Sequence, residues 1–271
     1  MALSHFWHGK VVVITGGSSG LGLEIARRLA SPEVTLVLVA RKAAGLAEAA
    51  REIGSLLPGA AIQTVPADVG EEGAISTALA GIAKKHGRVD VVFHSAGILR
   101  EGPFAGFDAG VFREVMETNF YGAVNVARAA LPHLQASRGA LVNIASAAGL
   151  TAAYGYSAYC ASKHALVGFS EVLRFEQEPH GVRVHLVCPA EFDSPMVDAI
   201  EATRSPENRA HTLTIPKQSV AVIAAETIAG VERGDFLIVP GRSTRMALTA
   251  ARLFPGLSRK VGDWRIRRAR K

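Results

Sequence analysis

Val11-Val12-Val13-Ile14-Thr15-Gly16-Gly17-Ser18-Ser19-Gly20-Leu21-Gly22 is an apolar run that ends in a glycine-rich turn and opens into a helical pattern over 21–30. The run is apolar at successive rather than alternate positions, which marks a strand covered on both faces. Glycines after such a strand let the backbone turn tightly, and the unpaired N–H groups at the start of the next helix suit a diphosphate. Outward from this stretch the same rhythm repeats. Apolar runs at 34–40, 61–65, 90–94, 140–145, 182–188 and 236–239 alternate with helix-period segments at 43–56, 71–86, 109–136, 156–178 and 216–233. This alternation predicts an α/β fold, a doubly wound (Rossmann) parallel sheet of about seven strands with helices on both faces, in a single domain.

The chain has 271 residues, 49% of them hydrophobic, with 27 glycines, which suits one large domain with a sizeable core. Disorder, a collagen-like repeat and a disulfide-stapled miniprotein are excluded. Its two cysteines, Cys160 and Cys188, form no metal-binding spacing, so no metal site is expected and a reducing compartment is. The few residues before the first strand are too short for a secretory leader, and no run reaches the ~18 apolar residues of a membrane span. A cytoplasmic protein is expected.

Two stretches depart from the rhythm. Residues 191–215 form a polar insertion, read as irregular, that should project from the carboxyl edge of the sheet as a substrate lid. Residues 241–271 follow the domain over 1–240 as a basic tail. The chain carries 30 basic and 24 acidic residues, but 10 of the basic ones and one acid fall within 242–271, so that segment is +9 and the remainder −3. Within it Met246, Ala250, Leu253, Leu257, Val261 and Trp264 recur at helical spacing with the arginines mostly off the stripe. Such a helix would rest on an anionic membrane surface, or else pack on the protein's own pocket or on another subunit. Pro255 and Gly256 are expected to interrupt it. Nucleic acid is not an expected partner, because no base-stacking module accompanies the charge.

Several residues follow the strand ends where a nucleotide would lie. Thr15, Gly16, Ser18, Ser19, Gly20, Leu21 and Gly22 form the turn, and Ser95-Ala96-Gly97 supplies small residues after the fourth strand. The second strand ends in Val39-Ala40-Arg41-Lys42, where an acid would hold the ribose hydroxyls of NAD. A guanidinium there suits a 2′-phosphate and no carboxylate is expected to repel it, so NADP(H) is the expected cofactor. Asp68, followed by Val69, either accepts from the adenine amino group or caps the helix near Glu71. His94 reads as a packed strand-end histidine.

Ser146 closes the fifth strand, Tyr159 lies 13 residues on, and Lys163 follows one helical turn later on the same face. A free tyrosine has a pKa of about 10. A neighbouring ammonium should lower it and make Tyr159 a workable general acid or base. Ser146 can donate to an oxygen on which negative charge grows.

Together these motifs identify the chain as a likeness of the short-chain dehydrogenase/reductase family over about 10–240. The resemblance implies that Tyr159 is the proton donor in ketone reduction, that Ser146 orients the carbonyl, and that Lys163 binds the nicotinamide ribose and depresses the tyrosine. Asn119, in Thr118-Asn119-Phe120, would hold a water that continues the proton relay. Tyr159, Lys163, Pro189 and Ser194 would also touch the cofactor, and a dimer or tetramer is implied by analogy. His94-Ser95-Ala96-Gly97 and Pro189-Ala190 depart from the family's N-N-A-G and P-G, which bears on cofactor positioning. Within the family, 13–20, 39–41, 155–159, 189–195 and the basic C-terminal extension resemble 3-ketodihydrosphingosine reductases. That resemblance implies NADPH-dependent reduction of a 3-keto lipid such as 3-ketosphinganine. The same catalytic residues also serve steroid, retinoid and 3-ketoacyl substrates, whereas a non-catalytic nucleotide-binding scaffold would not require the whole set.

Overall fold

The computed structural model describes residues 3–271. Seven parallel strands lie in the order β3-β2-β1-β4-β5-β6-β7: β1 Val11–Thr15, β2 Thr35–Ala40, β3 Ala61–Pro66, β4 Val91–His94, β5 Ala140–Ile144, β6 Arg183–Val187 and β7 Leu237–Ile238. The order reverses between β1 and β4, and this switch point opens the crevice in which such sheets bind ligands. The register Thr15↔Val39 on one side and Thr15↔His94 on the other brings the three strand ends level beneath it.

The near-continuous apolarity of the strands is explained by two separate cores. Val12, Ile14, Leu36, Leu38 and Phe93 face one side, packing with Ile25 and Leu29 of α1 (Gly20–Leu29), Leu46 and Ile53 of α2 (Ala43–Leu56) and Ile223 of α9 (Val220–Arg233). Val11, Val13, Val37, Val39 and Val92 face the other, against Ile75 and Leu79 of α3 (Glu72–His86) and Val126 and Leu134 of α5 (Gly122–Ser137). Each fully buried Val or Leu contributes about 1.5–3 kcal/mol relative to exposure. Trp7, in a turn before β1, is fully buried in the first core and donates from Nε1 to Glu232 at 2.6 Å.

Three segments differ from the sequence expectation. The long helix expected over 109–136 is divided into α4 (Ala109–Met116) and α5 by a π turn, Glu117–Tyr121. The insertion at 191–215 is not irregular but carries α7 (Pro195–Glu201) and α8 (Pro206–Thr212). Both begin with a serine whose hydroxyl accepts a first-turn N–H, followed by proline at the first helical position. The basic tail folds as α10 (Arg242–Leu253) and α11 (Pro255–Ala269), broken at Phe254 immediately before Pro255.

Candidate active site

The carboxyl ends of β1, β4, β5 and β6 line one cleft with α6 (Ser157–Gln177), the insertion and the tail. Its nucleotide half is built by close backbone approach. Gly16 has φ +67°, and a Cβ there would lie 2.8 Å from the Ala96 amide nitrogen. A Cβ on Gly22 would lie 2.5 Å from the Gly16 carbonyl oxygen, so α1 can begin against the turn only without side chains at these points. Ser19 precedes α1 with no side-chain cap, leaving the first-turn N–H groups for a ligand beside Ser19, Gly20 and Leu21 in the cleft. Ser95, Ala96 and Gly97 form the opposite wall. This cradle fits the diphosphate of a dinucleotide.

Thr15 plays a different part from a direct contact. It is fully buried, and its Oγ1 bonds His94 Nδ1 at 3.0 Å and accepts the Ala96 N–H at 3.4 Å, so it pins the wall to the turn. His94 is packed, as expected, and burial drops its pKa to about 3, with the Lys163 charge acting in the same direction.

At the far end Arg41 is exposed, Lys42 flanks the start of α2, and Ser18 lies beside Gly45 of that helix. The expectation of no carboxylate here is corrected. Asp68, at the end of the neighbouring β3, places Oδ2 3.8 Å from Arg41 Nη1. Asp68 is not a helix cap either: α3 begins at Glu72, beyond Glu71, while Asp68 Oδ1 accepts the Gly70 N–H at 3.0 Å in a local turn. Val69 is buried, close enough that a Cβ on Gly122 would meet its Cγ2 at 2.8 Å, and its carbonyl accepts from Asn125, so its side chain serves packing.

The catalytic candidates meet in the cleft. Ser146 follows β5, and α6 presents Tyr159 and Lys163 one turn apart. Burial pushes the Tyr159 phenol up to about 12, opposed by a hydrogen bond from Ser146. Burial thus outweighs, in this structure, the downward shift expected for the phenol. Lys163 Nζ donates to the Ile144 carbonyl at 2.9 Å and lies 5.7 Å from the Tyr159 ring centroid, and burial brings its own pKa down to about 8. At neutral pH the phenol carries its proton and the ammonium is mostly charged.

Asn119 is fully buried between the segment after β4 and α6. Its Oδ1 accepts the Ile98 N–H at 2.7 Å, and Nδ2 donates to the Ile98 carbonyl at 2.9 Å and to Ser162 Oγ at 3.0 Å. The side chain clamps the segment after β4 to α6. Pro189 is buried and lines the cleft. Ser194 lines the cleft but caps α7 through its Oγ, which accepts the Val197 N–H at 3.4 Å.

Sequence reasoning missed what holds the lid. The Arg204 guanidinium is fully buried between Glu191 (2.6 and 2.9 Å), Glu201 (3.2 Å), Asn208 Oδ1 (2.7 Å) and the Thr212 hydroxyl. His211 faces the cleft, its Nδ1 accepting the Tyr154 N–H at 2.9 Å. The tail completes the roof through Ala247, Leu248, Ala251, Ser258 and Gly262. The two Ser-Pro starts, Ser194-Pro195 and Ser205-Pro206, were the available signal for an ordered lid.

Among known proteins, a model of the short chain dehydrogenase family matches residues 10–205. Dehydrogenase/reductase SDR family member 7B of Bos taurus is 34% identical over 269 residues, spanning 96% of this chain and 82% of that protein. The 3-ketodihydrosphingosine reductase of Bos taurus is 30% identical over 232 residues, 84% of this chain and 70% of that protein. The likeness to 3-ketodihydrosphingosine reductases is thus shared with other members, one of which aligns more closely. A short-chain dehydrogenase/reductase from Burkholderia phymatum in complex with NAD superposes with a TM-score of 0.81 at 25% identity, over 93% of this chain and 95% of that one. Actinorhodin polyketide ketoreductase with NADPH superposes with a TM-score of 0.77 at 27% identity, over 85% and 95% respectively.

Proposed function

From the premise that the chain belongs to the short-chain dehydrogenase family, a family of oxidoreductases with a nicotinamide-binding fold, we propose that it reduces the ketone of a lipid-like 3-keto compound at the expense of NADPH. The observation that carries this reading is the convergence of Ser146, Tyr159 and Lys163 in one cleft whose other end is the glycine cradle. A bound nicotinamide supplies hydride to the carbonyl carbon. The protein's own groups deal with the oxygen. Tyr159, protonated at neutral pH, gives its proton to the oxygen as charge develops there, and the Ser146 hydroxyl donates to the same atom. Lys163, fixed by the Ile144 carbonyl, keeps a positive charge in a buried site where it favours the phenolate that remains. Asn119 keeps the wall at Gly97 and Ile98 in register with α6.

A long apolar substrate is favoured by the apolar lining that Leu99, Met196, Val197, Ile215, Leu248 and Ala251 give the same cleft. NADPH is favoured by Arg41 and Lys42 at the end of β2. A 2′-phosphate would compete with Asp68 for Arg41, forming charge-assisted hydrogen bonds in place of a loose 3.8 Å pair. Arg41→Asp should therefore weaken NADPH binding by about 10–100-fold and NADH binding far less, since hydrogen bonds to charged groups contribute about 1.5–3 kcal/mol. Tryptophan fluorescence titration with both nucleotides measures this, and an unchanged ratio refutes the assignment.

The substrate reading is tested by following NADPH oxidation with 3-ketosphinganine in mixed micelles, beside a steroid ketone and a 3-ketoacyl thioester. Preferential turnover of the sphingoid ketone is expected. Preference for either of the others discards the long-chain 3-keto assignment while leaving the reductase chemistry in place.

A further inference from the structure

The apolar stripe of the tail does not pack on the pocket. Met246, Leu253, Phe254, Leu257, Val261 and Trp264 are all exposed, from 40% at Val261 to 71% at Met246. The pocket is instead met by neighbouring positions. Ala247, Leu248 and Ala251 of α10, and Ser258 and Gly262 of α11, line it. Met246, Leu257 and Val261 each precede one of these by a single position, and so lie ~100° further round the helix. Gly262 is buried so closely that a Cβ there would meet His211 Nε2 at 2.8 Å. Arg265, farther along the same side, donates to the Ala210 carbonyl at 2.7 Å. The helices are thus anchored to the lid at these positions and leave six large apolar side chains exposed.

Charge decides what that surface fits. Arg245 and Arg270 are committed to Glu226 and Glu207. Arg252, Arg259, Lys260, Arg267 and Arg268 are exposed and make no ion pair among the described residues, and Asp263 is the single acid in 242–271. The Arg268 guanidinium lies 5.5 Å from the Trp264 ring centroid, so an aromatic and a cation leave the same side of α11. The same tail of a second copy, stripe against stripe, would set like charge against like charge. A bilayer of anionic lipid offers phosphate oxygens to the arginines and a hydrocarbon boundary to Trp264, Phe254 and Leu257. Among the described residues no helix is long and apolar enough to cross a membrane, so the contact is one of lying on the surface.

We propose that α10 and α11 dock the protein on anionic lipid bilayers through this stripe, holding the roof of the pocket against the lipid. Docking stands on the surface alone. Its use, the passage of a membrane-dissolved ketone into the pocket beneath the same two helices, rests on the reductase reading.

The test is sedimentation of the full chain with vesicles of phosphatidylcholine and phosphatidylglycerol in equal parts, against phosphatidylcholine alone. Wild type is expected to bind the anionic vesicles and lose that binding as salt rises. Phe254→Glu with Trp264→Glu should reduce it at least about tenfold. A triple variant, Arg252→Gln, Arg259→Gln and Lys260→Gln, should reduce it by about fivefold per charge at low salt. Circular dichroism verifies that both keep the fold, and turnover of a short water-soluble ketone should match wild type. No sedimentation with either vesicle, or equal sedimentation with both, overturns docking. So does a concentration-dependent dimer that the Glu variants abolish, which assigns the stripe to self-association. Vesicle binding without turnover of any ketone leaves docking standing and removes the reductase reading, and the reverse pattern removes docking alone.

Discussion

Tyr159→Phe should lower ketone turnover by about 10²–10⁴-fold, the usual worth of a positioned general acid, while nucleotide binding stays near that of wild type. The substitution removes one oxygen from a ring that otherwise keeps its contacts, including the edge-on packing with Tyr156 at 5.8 Å between centroids. What disappears is the proton donor. Ser146 remains and can still donate a hydrogen bond to the carbonyl oxygen, but a serine hydroxyl gives up its proton far less readily than a phenol. Steady-state kinetics with a parallel fluorescence titration of NADPH separates the two effects. Turnover near the wild-type level in this variant would remove Tyr159 from the chemistry.

Arg204→Met should release the lid. The change keeps the volume of the stem and removes a fully buried guanidinium, leaving Glu191, itself only 11% exposed, and Asn208 without their main partner. Breaking one half of a buried ion pair costs about 3–5 kcal/mol. That cost should fall on 191–215 rather than on the whole fold, because Arg204, Glu201, Asn208 and Thr212 all belong to α7, α8 and the segment between and after them. Hydrogen exchange should therefore show lost protection in α7 and α8 with the sheet intact, and KM should rise as the pocket wall loosens. Adding Glu191→Leu should restore part of the protection, since an apolar pair leaves no orphaned charge. Unchanged exchange in α7 and α8 would show that Arg204 does not hold the lid.

The parallel sheet was legible in the sequence because both cores demand the same residue type. Val11 and Val13 face one layer of helices while Val12 and Ile14 face the other, so the strand reads as an unbroken apolar run. The glycine turn was equally legible, since Gly16 and Gly22 occupy places where a Cβ would collide with backbone. Local hydrogen bonding was not. Thr15 and Asn119 fit a family pattern, yet their side chains are used to fasten Ala96 and Ile98, partners distant in sequence that no spacing reveals. The Asp68 carboxylate reaches Arg41 only because β3 lies beside β2, a neighbour relation set by sheet order. The lid escaped for another reason: its polar residues form a network around Arg204, and polarity was read as irregularity. In the tail the helical stripe was correctly spaced, but whether it faced the pocket or solvent depended on which neighbouring positions met the lid.

In the proposed reaction this cleft passes a hydride to the carbonyl carbon of a ketone and a proton to its oxygen. Turnover of 3-ketosphinganine with NADPH deuterated at the transferable position of the nicotinamide, read by mass spectrometry of the product, follows both. An alcohol carrying one deuterium at the former carbonyl carbon is expected from wild type and is expected to be lost in Tyr159→Phe. Product without the label, or labelled product formed equally well by the variant, would contradict that reaction.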